Sequence, residues 1–308
     1  MRLMKNGILR AKPIMTPRRD HLDTLAISLL LGCCLFWGFQ QVLIKATLPL
    51  VPPMVQACVR FIGATALLML WCVWRRIPLW QSDGSLRAGL VAGLLFAMEF
   101  VCIYSGMQHT TASRLTIMLY TSPFWVALLL PIWLKHEQLR PLQWLGLGLA
   151  FAGVAFALRD RLAGGGSWLG DALSLLAGAM WGLTTVVMRT TSLNKVSAEK
   201  LLFYQVGVSA VLLPVVALVM GEPFSLDYSV WGWSSLALQA ALGAFVTFLI
   251  WMWIISHYPA TRVSAFSFLS PLSALVFGAL WLGEPVTPDL MIALAGVALG
   301  IYLVNRRR

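Results

Sequence analysis

Charge is what this chain has least of. Asp, Glu, Lys and Arg make up 11% of its 308 residues, where a soluble domain carries about 25%. That shortage excludes an ordinary water-soluble globule. Histidine is scarce too. The 4 that occur, His21, His109, His136 and His257, fall at or near the ends of apolar runs. With no HExxH and no carboxylate-rich metal motif, no metal is expected, and no catalytic residue is assigned. Cys33, Cys34, Cys58, Cys72 and Cys102 show neither a CxxC nor a Cys/His ligand spacing. Each lies inside an apolar run and reads as a small core residue. No GxxxxGK[ST] occurs, so the chain has no ATPase of its own, and no cofactor is expected. Long polar stretches are missing, which argues against a receptor or assembly subunit with a large extramembrane domain.

What fills the chain instead is apolar. Hydrophobic residues make up 59%, and mean hydropathy is +0.80. This is the composition of an integral membrane protein, with lipid as a partner. The net charge of +11 would suit nucleic acid if the cations formed one stripe with interleaved aromatics. They sit at the ends of apolar runs, as cytoplasmic loop cations do, so no nucleic-acid partner is expected.

A helix needs about 20 apolar residues to cross the hydrocarbon layer. Candidate spans run at 24–46, 53–74, 87–107, 112–134, 141–159, 168–189, 198–220, 231–256, 261–282 and 288–305. The N-terminus is basic, as in a signal peptide. The apolar run that follows outlasts a signal core of about 7–15 residues and reads as the first span. With the N-terminus inside, 18 of the 23 Lys and Arg fall in inside segments. The positive-inside rule then puts both termini in the cytoplasm.

The two halves resemble each other. HTTASRLTIMLYTSP at 109–123 matches HYPATRVSAFSFLSP at 257–271, with His, Ala, Arg, Ser and Pro in register. Trp37-Gly38 matches Trp181-Gly182, Lys45 matches Arg189, and Glu137 matches Glu284 after a one-residue slip. Each half holds five spans. An odd number makes the second half enter from the opposite side, an inverted repeat of the kind typical of alternating-access carriers. The expected fold is all-α and integral to the membrane, with ten transmembrane helices in two inverted five-helix repeats. The divisions are a basic tail at 1–23, a first repeat at 24–160, a linker at 161–167 and a second repeat at 168–308.

The stretches LFWGFQQVLIKA, VRFIGATALLML, TTASRLTIMLYTSPFWVALLLPIWLKHEQL and FLSPLSALVFGALWLGEPVTP together resemble an EamA-type carrier of the drug/metabolite transporter superfamily, over about residues 24–305. The first half departs from the pattern, with Lys-His-Glu where the second has Leu-Gly-Glu-Pro. The resemblance implies a secondary transporter of a small-molecule substrate in a bacterial-type inner membrane.

Glu99 is the most informative single residue. It lies mid-span in LLFAMEFVCIYSG, where a charge costs at least ~2.5–3.5 kcal/mol. It is either a proton-coupling and substrate-binding carboxylate or a structural one held within the bundle. Arg60, in VQACVRFIGA, falls at similar depth. It either pairs with Glu99 or receives a substrate carboxylate. In the matching half Glu99 corresponds to Thr247 and Arg60 to Tyr204, so the scaffold repeats but the charges do not. Gln40, Gln41, Tyr120, Thr184, Tyr204, Gln205 and Ser270 complete the polar candidates. Trp37 and Trp181 are candidate cavity walls. Pro123 and Pro271 are expected to kink spans four and nine, because proline removes a backbone hydrogen bond. Glycines 146, 148, 153, 296 and 300 suit close helix packing or a homodimer face. The substrate reading is a small amphipathic metabolite such as an amino acid, exported by alternating access with proton exchange. The alternative is efflux of cationic or aromatic compounds.

Overall fold

The structure, a computed structural model, describes residues 21–110, 112–159, 167–282 and 288–306. The basic N-terminal tail, Gly164 to Gly166 of the linker and Glu284 lie outside the described residues. Those described are helical, with short connections and no strand among them. The helices are α1 (Thr24–Thr47), α2 (Pro53–Arg75), α3 (Leu86–Met107), α4 (Ala112–Leu119), α5 (Ser122–Trp133), α6 (Pro141–Ala157), α7 (Trp168–Thr190), α8 (Ala198–Val219), α9 (Val230–Leu238), α10 (Thr247–His257), α11 (Ala260–Ala265), α12 (Leu269–Leu282) and α13 (Pro288–Asn305). Among the described residues, eight stretches are long and apolar enough to cross a membrane. They are α1, α2, α3, α7, α8, and the three composite runs Arg114–Trp133, Val230–His257 and Ala260–Trp281. Two further apolar helical stretches are shorter, Pro141–Ala157 and Met291–Asn305.

Local chemistry sets the boundaries. Asp23 accepts from the Ala26 amide at 2.9 Å to open α1, and Ser197 accepts from the Lys200 amide at 3.2 Å to open α8. Each satisfies an amide that has no intrahelical partner. Proline opens α2 and α6, where its missing N–H costs nothing. Arg76 ends α2 with a left-handed backbone, φ 56°. Exposed Leu25, Leu31, Leu35, Leu70, Val73, Val211 and Leu218 face outward, as lipid-facing side chains must.

Two composite runs break at corresponding places. α4 gives way to α5 at Tyr120–Thr121, just before Pro123, and α11 gives way to a 3₁₀ turn at Phe266–Phe268, just before Pro271. The interval between α9 and α10 is a wide π-helical segment, Gln239–Val246, which nothing in the sequence had announced. There Gly243 lies so close to α1 that a Cβ would stand 2.1 Å from Gln40 Oε1.

Hydrogen bonds between segments define two ends of the bundle. At one, Lys200 Nζ donates to Asp83 Oδ2 and to the Gln81 carbonyl, both at 2.8 Å, and Ser85 shares a hydrogen bond with Tyr204. Gln143 Nε2 bonds the Val304 carbonyl at 2.7 Å, tying the start of α6 to the last turn of α13. At the other end, Glu222 accepts from the Met54 and Val55 amides at 2.9 and 3.2 Å, capping α2. Thr110 and Arg114 hold Asp171 there. We call these the Lys200 face and the Glu222 face. The helices pack in matched pairs. α1 lies on α12 and on α10, as α7 lies on α4–α5 and on α3, while α2 packs on α8 and α6 on α13. Three glycines of the last pair are used within the chain, while Gly148 has nothing within 4 Å of its Cβ position. Gly146, Gly153 and Gly300 lie where a Cβ would meet backbone of the other helix at 2.5–3.0 Å.

Candidate functional site

Inside the bundle is a cavity of about 510 Å³, within the ~300–1,000 Å³ of small-molecule sites. Its walls are mostly aromatic and aliphatic. Trp37, Phe96, Phe100, Trp181, Phe248 and Trp251 all contribute. Trp37 is fixed by its indole N–H, which donates to Thr247 Oγ1 at 2.8 Å, and by the Trp251 ring with centroids 4.9 Å apart. Trp181 meets Tyr120 edge-on at 5.7 Å.

Two buried charged side chains interrupt this wall, and exposed Lys45 lies at its rim. Arg60 is 3% exposed and Glu99 is 5% exposed. The guanidinium of Arg60 lies over Phe61 and Phe100, 4.7 and 4.9 Å from the ring centroids. These contacts hold the head group in place without consuming its donors. Arg60 Nε and Nη2 have no hydrogen-bond partner, nor has Glu99 Oε2. No ion pair joins Arg60 to Glu99 among the described residues. An unbonded buried polar atom costs ~1–3 kcal/mol, more when charged. Buried polar groups are otherwise almost always satisfied, so both groups stand out.

Of the polar candidates, Gln40, Gln41, Tyr120, Thr184 and Gln205 lie on the same wall, with Trp37, Trp181 and Pro271. Gln40 Oε1 and Gln205 Oε1 also lack partners. Tyr204 is placed elsewhere. Its hydroxyl bonds Ser85 at 2.8 Å, and its ring packs where Gly89 leaves room. Ser270 is buried behind the wall where α12 crosses Gly38. Pro123 is buried in α5, off the cavity. Thr185, next to Thr184 at the same depth in sequence, also lines the cavity, and sequence reasoning missed Met188 and Trp251, which line it too. Trp251 reads from sequence as a packing residue. The signal that points to the cavity is its place four residues after Thr247, one turn along the helix face opposite Trp37.

The two Trp-Gly pairs explain how the wall is brought together. At Gly38 a Cβ would stand 2.4 Å from Ser273 Cβ, and at Gly182 it would stand 2.5 Å from Trp125 Cβ. Each glycine lets a helix cross close to its neighbour, and the adjoining tryptophan turns inward. Among the described residues, no group of three or more His, Cys, Asp and Glu side chains is placed to hold a metal ion. The five cysteines are buried and free.

The model of the EamA-like transporter family matches this chain twice, at residues 24–159 and 168–306. An uncharacterized transporter of Synechocystis sp. is 30% identical over 292 residues, covering 88% of this chain and 87% of that one. One from Archaeoglobus fulgidus is 27% identical over 302 residues, covering 94% and 98%. The uncharacterized inner membrane transporter YedA of Escherichia coli K12 is 22% identical over 273 residues, covering 88% and 87%. A solved crystal structure shares the fold with a TM-score of 0.79 at 17% identity, over 92% of this chain and 96% of that one. This multi-pass membrane protein belongs to the EamA-like transporter family, within the drug/metabolite transporter superfamily.

Proposed function

We infer that the chain is a secondary active transporter that exports small amphipathic metabolites, amino acids or similar zwitterions, by alternating access. The observation that carries this reading is the pair of unpartnered charges, Arg60 and Glu99, on one apolar cavity. A zwitterion brings one group for each. Its carboxylate takes the free guanidinium donors, its ammonium takes the carboxylate, and its side chain lies against the aromatic wall. Ligand binding then repays a desolvation cost that the protein already carries.

Ten crossings in two inverted repeats, at 24–160 and 168–308, account for the packing. Exchanging the halves maps α1 on α12 to α7 on α4–α5, and maps α2 on α8 and α6 on α13 onto themselves. The double family match agrees. The chain at His21 bonds Arg262 at 2.6 Å, and α13 ends beside Gln143. Both ends of the described chain therefore lie at the Lys200 face. Arg75, Arg76, Arg87, Lys135, Arg140, Lys195 and Arg262 belong to the same face by sequence. The positive-inside rule makes it cytoplasmic. Glu99 is the proposed proton carrier. A buried carboxylate with one oxygen unbonded can exchange a proton with the ligand's arrival and departure. The α6–α13 contact uses Gly146, Gly153 and Gly300, while Gly148 has open space beside it, which a homodimer face could use.

The aromatic wall also favours efflux of flat cations held by Glu99. Arg60 on the same wall opposes that reading, because it repels a second cation. The discriminating experiment compares the medium around cells expressing the wild type with that around Glu99→Gln cells by untargeted metabolite profiling. Enrichment of carboxylate-bearing amines by the wild type alone fits the first reading. Enrichment of cations without a carboxylate fits the second.

A further inference from the structure

A second buried charge pair lies outside the cavity. Glu137, in the turn after α5, forms an ion pair with Arg189, at the end of α7, and the two side chains are 0% and 3% exposed. The same carboxylate accepts from the Ala260 and Thr261 amides, each at 3.3 Å, and from Thr261 Oγ1 at 3.1 Å. Arg189 Nη1 donates to the Ile255 carbonyl at 2.9 Å. One residue of the first half therefore holds the end of α7 and the start of α11 from the second, and Arg189 adds the last turns of α10. Stability alone is a weak reason for such a pair, since apolar residues of equal volume serve as well or better. Arg189 Nε is also left without a partner.

The cavity ends just short of this cluster. Its lining reaches Met188, Gln205 and Met252 but includes none of Glu137, Arg189, Ala260 or Thr261. Around the cluster Leu193, Tyr258, Ala260 and Val263 are buried to 1% exposure or less. The Glu222 face differs. There Lys45, the repeat counterpart of Arg189, is exposed and lies on the cavity wall with Leu48 and Pro53. The cavity thus reaches toward the Glu222 face and is stopped at the Lys200 face.

We propose that Glu137 and Arg189 form the gate at the Lys200 face, an inter-half latch that is closed in this state and must part for the cavity to open there. The inference rests on the alternating-access reading above. The energetics suit a latch. Burial taxes both charges, and parting returns them to water, so the closed state is held by a small difference between large terms. An apolar seam of the same area gains nothing on opening.

The test is sided labelling. Met188→Cys and, separately, Leu48→Cys are placed in a background whose five native cysteines are replaced. A membrane-impermeant maleimide is then applied from each side of oriented vesicles. Glu137→Gln is expected to raise labelling at position 188 from the Lys200 face, and to lower labelling at position 48 from the other, each by roughly tenfold. Thr261→Val keeps both charges and removes one hydrogen bond. It gives the same shift at smaller size, and serves if Glu137→Gln does not fold. Unchanged labelling at both positions in a protein that melts at lower temperature overturns the gate and leaves a structural tie. Equal labelling of position 188 from both faces without any gate substitution overturns the alternating-access reading itself.

Discussion

Trp37 donates its indole N–H to Thr247, the residue that stands in the second half where Glu99 stands in the first. The equivalent tryptophan, Trp181, makes no such bond to Glu99 among the described residues. On one side of the cavity a neutral hydroxyl accepts from Trp37 and donates to the Gly243 carbonyl. On the other, a buried carboxylate keeps a free oxygen. Where the two halves differ in sequence, the cavity meets a hydroxyl from one and a carboxylate from the other.

Glu99→Gln keeps the shape and removes the charge. The variant is expected to stay monodisperse in detergent and to lose proton-gradient-driven flux by about tenfold or more. Proteoliposomes with an imposed pH gradient measure it. Unaltered flux in that variant would remove Glu99 from proton coupling.

Arg60→Lys retains a positive charge but loses the planar fork that lies over Phe61 and Phe100. A carboxylate-bearing ligand should bind about 10–100-fold more weakly, the ~1.4–2.8 kcal/mol expected for charge-assisted bonds. Ligands lacking the carboxylate should be nearly unaffected. Calorimetric titration of both classes decides it, and equal losses would mean a purely structural arginine.

Gly38→Ala should destabilise the fold by ~1–3 kcal/mol, because the added methyl meets Ser273 and the α12 backbone. Gly32→Ala, in the same helix with nothing within 4 Å, is the control and should be neutral or slightly stabilising. Thermal melts in one detergent compare them. Equal melting temperatures would show that α1 and α12 do not cross as closely as described.

The loop carboxylate Asp83 carries a pH signature. Partial burial pushes it up, but bonds from Lys200 and Ser85 outweigh burial and hold it at about 2. A carboxyl held low stabilises the fold above its unfolded value of about 3.9, and that contribution fades as pH falls toward 2. Asp83→Asn should therefore melt slightly below wild type at pH 7, by roughly 1–2 °C given the 35% exposure of Asp83. The gap should narrow between pH 4 and 2. A gap that is constant with pH would deny the Lys200 pair any role.

Much of this was legible in the sequence, for identifiable reasons. Lipid demands long apolar helices, so eight of the ten expected spans were legible from composition, while those at 141–159 and 288–305 correspond to shorter apolar helices. The shared His–Ala–Arg–Ser–Pro pattern located the two helix interruptions, because proline acts on its own backbone wherever it stands. Glu99 and Arg60 stood out because charge within an apolar run has few explanations. Tyr204 misled, since helical depth says nothing about which way a side chain turns, and Ser85 captures its hydroxyl. Glu137 and Arg189 were visible only as repeat matches. Their pairing depends on three connections meeting at one end of the bundle, which no local pattern encodes.

The π-helical segment bears on how such a cavity is shaped. One surplus residue in an otherwise α-helical rod rotates everything beyond it by about 100°. Thr247, Phe248 and Trp251 all lie beyond Gln239–Val246, so the wide turn sets the azimuth at which they meet Trp37. Excising a single residue near Gly243 would keep the span in place and swing those side chains off the wall. The indexing of this one helix is thus a setting for the cavity's lining, independent of the identity of any residue in it.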